Sequence, residues 1–201
     1  LFRSPGEVED TTGNGRNATS QGGTQTSIEN PVVAGNPGTC RYADFDGTDD
    51  RLVDNNAASY LEGLEAVTVM AWVYNTASLD GNDRGIFFTG DSTNGRDNRF
   101  GLRYDTDGFF GDGDNVIKAS VYTSDCNNLN QECWQVETES NVMKENAWQH
   151  VAMTWTTSGE IKVYVDGSEV GTSGTQGDGG TGQVTAIDKL EIGQGAKGQR
   201  W

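Results

Sequence analysis

The sequence is poor in proline, cysteine, histidine and basic residues. Its 201 residues include 3 Pro, 3 Cys and 1 His, and 14 Lys+Arg stand against 30 Asp+Glu, which gives a formal charge of −16. So strong a negative charge repels phosphate groups, so nucleic acid is not expected as a partner and divalent cations are the natural counter-ions. The sequence also lacks the run of about 18 apolar residues that a membrane helix needs, so no membrane insertion is expected.

Aromatic residues are well represented despite this acidity. The chain carries 5 Trp, 6 Tyr and 7 Phe, which is too many for a disordered acidic tail. A folded core is therefore expected. The length suits one domain covering residues 1–201.

Short alternating runs separated by Gly, Asp, Asn, Ser and Thr predict an all-β fold of two antiparallel sheets packed as a sandwich. Helical periodicity is limited to residues 57–64, which could hold a turn or two. Residues 1–40 are rich in Gly, Thr, Asn and Ser, and they are expected to form an irregular leading segment. The predicted strands are Tyr42–Phe45, Arg51–Val53, Val67–Tyr74, Gly85–Thr89, Phe100–Tyr104, Val116–Thr123, Trp134–Thr138, His150–Thr156, Ile161–Asp166 and Lys189–Ile192.

The cysteines suggest one disulfide bond. Cys126 and Cys133 flank a polar turn between two predicted strands, and a hairpin disulfide can span that spacing. Such a bond favours an oxidising, extracellular compartment. Cys40 is left over, as a free thiol or as the partner of a cysteine outside this chain.

The acidic loops predict a calcium site. If the strands from Val67 onward are mostly antiparallel hairpins, the loops at 75–84, 105–115 and 141–147 gather at one end of the sandwich. Calcium takes about six to eight oxygen ligands from flexible loops, although Asp and Asn are also common in turns without any metal. The candidate ligands at this end are Asp80, Asp83, Asp105, Asp107, Asp112 and Asp114, and those at the other end are Asp91, Asp97 and Asn98.

Four aromatic residues are candidates for ligand binding. Phe109 and Phe110 are adjacent in a glycine-bounded loop, so both rings point inward only if the loop folds under. Tyr122 and Tyr164 alternate with the apolar residues of their strands and are expected on an open sheet face. The alternatives are a small loop core for the Phe pair and ordinary cross-strand pairing for the tyrosines. Trp72, Trp148 and Trp155 are expected in the core.

Several segments, taken in order, resemble the signature of LamG-like, concanavalin A-like jelly-roll domains. The paired strands 148–155 and 162–167 carry most of the resemblance, with Gly159 between them. The turns at 10–15 and 45–50 and the strand 67–73 agree with it. Since these segments span nearly the whole chain, the resemblance implies a jelly roll. It also implies that Asp97 occupies a position where some laminin-type relatives present a calcium ligand.

Residues 35–42 are further similar to LamG-like domains of bacterial surface proteins linked to mannose-sensitive haemagglutinin-type type IV pili. This resemblance implies an extracellular or cell-surface location. The sequence departs from the family pattern at both ends. The opening strand is reduced to residues 1–3, and no strand follows the Gly-rich segment 193–201. We therefore expect either a trimmed C-terminal edge or an edge that another chain segment completes.

Hydrolysis is not expected. Jelly-roll glycoside hydrolases carry their acids as Glu-x-Asp-x-Glu on one strand, and the nearest run, Glu137-Thr138-Glu139-Ser140, lacks the third acid. His150 is the sole histidine and has no nearby nucleophile pattern, so a structural role is expected for it.

Two classes of function remain. The first is a non-catalytic module that binds a glycan or cell-surface polysaccharide, with calcium as the expected cofactor. The second is a structural module that docks other pilus or surface-protein segments, with calcium only stiffening the loops. A solvent-facing aromatic residue beside a loop metal favours the first, and an apolar patch at an incomplete sheet edge favours the second.

Overall fold

A computed structural model describes residues 8–27, 42–76, 84–90, 100–105, 115–124, 134–158, 160–170, 172–176, 182–185, 187–194 and 201. The strands in these ranges are β1 (Thr19–Gln21), β2 (Gln25–Ser27), β3 (Tyr42–Asp44), β4 (Arg51–Asp54), β5 (Ala66–Tyr74), β6 (Arg84–Thr89), β7 (Phe100–Asp105), β8 (Val116–Val121), β9 (Trp134–Thr138), β10 (Trp148–Thr156), β11 (Glu160–Val165), β12 (Ser168–Glu169), β13 (Thr172–Gln176) and β14 (Leu190–Ile192). One short helix, α1 (Ala58–Leu61), lies between β4 and β5.

The strands form two main antiparallel sheets. An eight-stranded sheet has the order β1-β4-β14-β6-β7-β8-β9-β13, and a four-stranded sheet has the order β12-β11-β10-β5. Strands β2 and β3 form a separate pair. Consecutive strands β6 to β9 are neighbours in the larger sheet, whereas β5 and β10 lie in the smaller one, so the chain crosses between sheets before β6 and after β9.

The hydrophobic core lies between the two sheets. The four-stranded sheet contributes every second residue, including Val151, Met153 and Trp155 on β10 and Val163 on β11. Successive side chains of a strand point to opposite faces, so these residues share one face. They meet apolar residues of the larger sheet, among them Leu102. The predicted all-β sandwich is therefore confirmed.

The ten predicted strands are all present, with bounds that shift by up to two residues at either end. The helical turn predicted within residues 57–64 is also present. The leading segment is less irregular than predicted, because its described part contains β1 and β2. The 3-residue strand β1 completes one side of the larger sheet by pairing with β4. Within the described ranges, no helix has the length and apolar character needed to cross a bilayer.

Asparagines tie together three loops at one end of the sandwich. The Asn75 carbonyl accepts a hydrogen bond from the Asn146 amide at 2.8 Å, and the Asn115 side chain donates to Asn141 at 3.2 Å. Asn115, Asn141 and Asn146 have φ values of 59°, 62° and 52°, a conformation that asparagine tolerates better than most residues. The predicted gathering of loops 75–84, 105–115 and 141–147 at one end is confirmed at these positions.

Candidate functional site

The outward side of the four-stranded sheet carries large apolar side chains. Met70 on β5 faces Ala152 on β10, which in turn faces Tyr164 on β11. One row further along, Trp72 faces His150. Residues directly opposite each other in antiparallel strands point to the same side of a sheet. We call this surface the aromatic face, and it consists of Met70, Trp72, Tyr74, Trp148, His150, Ala152 and Tyr164.

Met70 and Trp72 are much more exposed than large apolar residues normally are. Their exposed fractions are 64% and 53%. Among the described residues, these two are the large hydrophobic side chains that are exposed to solvent. Ala152 between Met70 and Tyr164 is only 8% exposed. Ala152 has the smallest side chain in this row, and we call its position between the two larger side chains the trough. A contiguous exposed apolar patch on a folded domain marks an interaction site more often than a chance exposure.

Aromatic contacts hold the side chains of this face in place. The Trp72 and His150 rings meet edge to face with centroids 5.3 Å apart. Trp148 packs against Tyr74 on β5 and against Tyr42 on β3, each with centroids 5.3 Å apart. These contacts fix the ring positions before any ligand arrives, which lowers the entropy cost of binding.

Charged residues border the aromatic face on the β11 side. Lys162 lies 3.4 Å from the Glu160 carboxylate and 3.6 Å from that of Glu169. The Glu160 charge, and after it the Glu169 charge, raises the pKa of Lys162. Glu169 is directly opposite Tyr164. The lysine is thus shared by two carboxylates, and this border keeps a net negative charge.

A turn after β11 is anchored beside His150. The Asp166 amide donates to the His150 carbonyl at 2.8 Å, and the Asp166 carboxylate accepts from the His150 amide at 3.0 Å. Asp166 adopts a φ of 51° and Gly167 a φ of 81°. The turn therefore places a third exposed carboxylate near the end of the aromatic face that holds Trp72.

The eight-stranded sheet buries a cluster of charged side chains. Lys118 on β8 contacts the Asp105 carboxylate and lies 3.9 Å from that of Glu137. Arg103 lies 3.9 Å from Asp105. Lys118 is 4% exposed and Glu137 is 0% exposed. Opposite charges at these distances compensate for their removal from water, so the cluster forms part of the structure of the sheet.

Three carboxylates of the described residues lie close enough to share a cation. One oxygen from each of Asp46, Asp49 and Asp50 falls within 4.8 Å of the others. Asp46 also accepts the backbone amides of Thr48 and Asp49, and the Thr48 amide is the first cause that lowers its pKa. For Asp50, burial raises the pKa, and the charges of Asp46 and Asp49 add to this. Local backbone bonds thus account for the position of the Asp46 carboxylate without a metal.

The structure corrects four of the expectations for individual residues. Tyr122 is buried, with 5% exposed, so it does not lie on an open face. Asp105 is engaged by Lys118 inside the sheet and is not a free loop ligand. Trp72 and Trp148 were expected in the core, but Trp72 is exposed and Trp148 lies on the aromatic face, opposite Tyr74. Tyr164 does lie on an outward sheet face, as predicted, and Trp155 is in the core.

The other predicted site residues lie outside the described ranges. They are Asp80, Asp83, Asp91, Asp97, Asn98, Asp107, Phe109, Phe110, Asp112, Asp114, Cys126 and Cys133. The calcium sites, the Phe pair and the disulfide bond therefore remain predictions.

Met70, Trp72 and His150 were not predicted as site residues. The signal was present in the alternation of β5, whose inward residues Val67, Val69, Ala71 and Val73 are small or β-branched while the larger side chains occupy the other face. The alternation alone does not say which of the two sets is inward.

Similar structures include receptor-binding and carbohydrate-binding domains. The binding domain of Paraclostridial Mosquitocidal Protein 1 matches with a TM-score of 0.58 and 12% identity over 92% of this chain and 41% of that chain. The botulinum neurotoxin serotype D ligand binding domain, in complex with N-acetylneuraminic acid, matches with a TM-score of 0.55 and 15% identity over 95% of this chain and 40% of that one. The CBM40 of the Ruminococcus gnavus IT-sialidase matches with a TM-score of 0.48 and 16% identity over 69% of each chain.

The chain spans about two fifths of the length of the two toxin domains. Comparison with the curated proteins gave no match. A family profile matches residues 46–201, which is well over half of the sequence. The segments that match include the strands of both main sheets from β5 onward. The chain belongs to the Laminin_G_3 family of the concanavalin A-like lectin/glucanases superfamily.

Proposed function

We propose that this domain binds carbohydrate without cleaving it, and that the aromatic face is the binding surface. The observation that carries the proposal is the exposure of Trp72 and Met70 in register with His150, Ala152 and Tyr164. A sugar ring has an apolar face of C–H groups and a rim of hydroxyls. The C–H face packs on aromatic rings, and the hydroxyls bond to polar groups such as the imidazole of His150.

The energetic argument favours a ligand on this surface. Apolar area in contact with water costs about 25 cal/mol per Å², so covering the two exposed side chains releases free energy. The surface around the trough is shallow and mixed in polarity. Such a surface suits an extended sugar chain, which lies across aromatic rings without being enclosed.

Binding without hydrolysis is supported by the state of the carboxylates. Glu160 and Glu169 share Lys162 and are exposed to water. A general acid in a glycosidase needs a desolvated carboxyl group, which burial in an apolar pocket provides. Glu137 is desolvated but lies in the ion cluster of the other sheet, and Glu139 is exposed beyond the end of β9.

The comparisons support the fold that this proposal requires. The superfamily description names lectins as well as glucanases, and the serotype D toxin domain was solved with a bound sugar acid. At 15% identity this likeness concerns the fold. The location of the site is argued from the side chains of this chain alone.

A glycan array tests the proposal with two neighbouring substitutions. Trp72→Ala removes the exposed ring and is expected to weaken binding to glycan hits at least about tenfold, the equivalent of about 1.4 kcal/mol. Its melting temperature should stay within a few degrees of the parent. Tyr164→Ala should weaken binding in the same way. Undiminished binding by both folded variants would contradict the aromatic face as the site.

Val73→Ala provides the matched control. Val73 is the chain neighbour of Trp72 but points into the core, with 7% exposed. This variant should lose about 1–3 kcal/mol of stability because it leaves a cavity, yet it should keep its glycan affinity at a temperature where it is folded. Comparing Trp72→Ala with Val73→Ala distinguishes the loss of a ligand contact from the loss of the folded state.

Calcium dependence is the second part of the proposal and rests on the sequence. The acidic loops 75–84 and 105–115 start or end at asparagines that the structure brings to one end of the sandwich. We expect the melting temperature to rise in millimolar calcium and to fall after EDTA treatment. A melting curve unchanged by either would contradict a calcium site. Glycan binding that survives EDTA would leave calcium with a stabilising role only.

Protein docking is the second candidate function. Met70 and Trp72 lie on β5, which pairs with β10 on one side and with no strand among the described residues on the other. An apolar patch on such a strand suits the addition of a partner strand. The resemblance of residues 35–42 to pilus-associated surface proteins supports an extracellular setting with such partners. An array-negative, folded protein that binds a pilus segment only with Trp72 intact would favour this function.

A further inference from the structure

The charges around the aromatic face point to the kind of glycan that it accepts. Among the described residues, Lys162 is the lysine or arginine on the outward side of the four-stranded sheet. Its ion-pair partners are the carboxylates of Glu160 and Glu169. Together Glu160, Lys162 and Glu169 carry a net charge of −1. The exposed Asp166 carboxylate adds a second negative charge beside His150.

We infer that the aromatic face binds neutral glycans and discriminates against sialylated and other carboxylate-bearing ones. This inference rests on the proposed function. A sugar carboxylate needs an available cation, and the best one is the forked guanidinium of arginine. Lys162 is already shared by two glutamates, so an acidic sugar would have to displace them.

The arginines in the described ranges make ion pairs or ring contacts with residues outside the aromatic face. Arg103 lies beside Asp105 in the buried cluster, and Arg51 lies 3.4 Å from Glu191 on the larger sheet. Arg84 stacks over the Tyr104 ring and Arg16 over the Tyr60 ring. Arg103 belongs to β7 of the larger sheet, which separates it from the aromatic face.

Distance decides whether the negative border matters to a ligand. Glu169 is opposite Tyr164, which is opposite Ala152, so two strand spacings of about 4.8 Å each separate the trough from the Glu169 backbone. That separation, about 10 Å, exceeds the screening length of about 8 Å at physiological salt but lies well within the about 30 Å at 0.01 M. This border therefore repels a carboxylate seated in the trough mainly at low salt.

The test uses matched pairs of probes that differ only in carboxylate content. Lactose is compared with 3′-sialyllactose, and oligogalactan with oligogalacturonate, at 20 and 300 mM NaCl. We expect the neutral member of the bound pair to bind about fourfold tighter at low salt, because Coulomb repulsion in water from two net negative charges about 10 Å away weakens the binding of an anion by about this factor. The preference should shrink at high salt.

Glu160→Gln/Glu169→Gln tests the border directly. This variant frees Lys162, and at low salt it should raise the affinity for the acidic member about fourfold while leaving the neutral member within twofold. Glu9→Gln/Glu139→Gln is the matched control, since both residues are exposed and lie outside the four-stranded sheet. It changes the net charge equally and should leave the preference unchanged.

The outcomes separate the inference from the proposed function. Tighter binding of the acidic member by the parent protein would overturn the inference and keep the glycan-binding function. An unchanged preference in Glu160→Gln/Glu169→Gln would overturn the role of this border. If no neutral or acidic probe bound, and an array of other glycans also gave no Trp72-dependent signal, the proposed function itself would fail and the inference with it.

Discussion

Trp72 and Val73 are adjacent in the chain, yet the first is 53% exposed and the second 7%. The alternation of β5 sends one side chain to water and the other into the core. Binding and stability therefore depend on different residues of the same strand. The aromatic face can vary without disturbing the sandwich as long as the inward row is kept.

Replacing Lys118 should cost far more stability than replacing Lys162. Lys118→Met leaves the buried Asp105 and Glu137 carboxylates without this cation, and losing one partner of a buried ion pair costs about 3–5 kcal/mol. Lys162→Met breaks exposed ion pairs, which contribute little to stability because water screens them. Urea unfolding of both variants measures the difference. Equal losses would show that the buried cluster does not stabilise the larger sheet.

Gly193 and Gly167 allow the cost of backbone strain to be distinguished from the cost of a steric clash, because they have the same backbone conformation but different surroundings. Gly193 and Gly167 have φ values of +80° and +81°. A Cβ at Gly193 would lie 2.5 Å from the Phe45 ring, whereas nothing lies within 4 Å of one at Gly167. Gly167→Ala should cost about 1 kcal/mol of conformational strain, and Gly193→Ala should cost at least about 1 kcal/mol more. Thermal unfolding compares the two, and similar melting temperatures would mean that Phe45 moves aside freely.

Asp10 should titrate well below the usual range. Its carboxylate accepts hydrogen bonds from the Thr12 hydroxyl at 2.5 Å and from the amides of Thr12, Asn14 and Arg16 at 2.8, 3.1 and 3.1 Å. These bonds, with the Thr12 hydroxyl first, lower its pKa from 3.8 to about 2.

The sign of the pH effect follows from this lowered pKa. The unfolded chain lacks these bonds and titrates near 3.8, so the stabilisation by ionised Asp10 is complete above that pH. It is lost as the pH falls through the folded pKa of about 2. Carboxyl carbon NMR measures the pKa, and Thr12→Val should raise it. A midpoint near 3.8 in the parent protein would contradict the hydrogen-bonded turn.

The strands were predictable because polar turns and alternating runs mark them locally. The orientation of β5 was harder, since both of its faces carry apolar residues and the sequence places Trp72 in the core by size. The pairing register of β5 with β10 determines which face of β5 points into the core, because β10 presents Val151, Met153 and Trp155 inward. That pairing joins residues about eighty positions apart, and no local pattern contains it.

The buried charges could not be predicted for a similar reason. Lys118 stands in a strand between Ile117 and Ala119, where alternation suggests a lysine that points to solvent. Its carboxylate partners come from β7 and β9 on either side. The sequence did correctly predict that the described ends of three loops, at Asn75, Asn115 and Asn141, lie at one end of the sandwich, because the end at which a connection lies follows from strand order.

The open surface at Ala152 has a consequence for how long the domain would stay bound to a glycan-covered surface. A ligand lying on an open face gains little enclosure, so one copy is expected to release its sugar quickly. Several copies displayed together raise the effective concentration of free faces around each glycan chain, and avidity can then exceed single-site affinity by about 10²–10⁴-fold. Firm attachment would thus depend on the number and spacing of the domains, and each single contact would remain reversible.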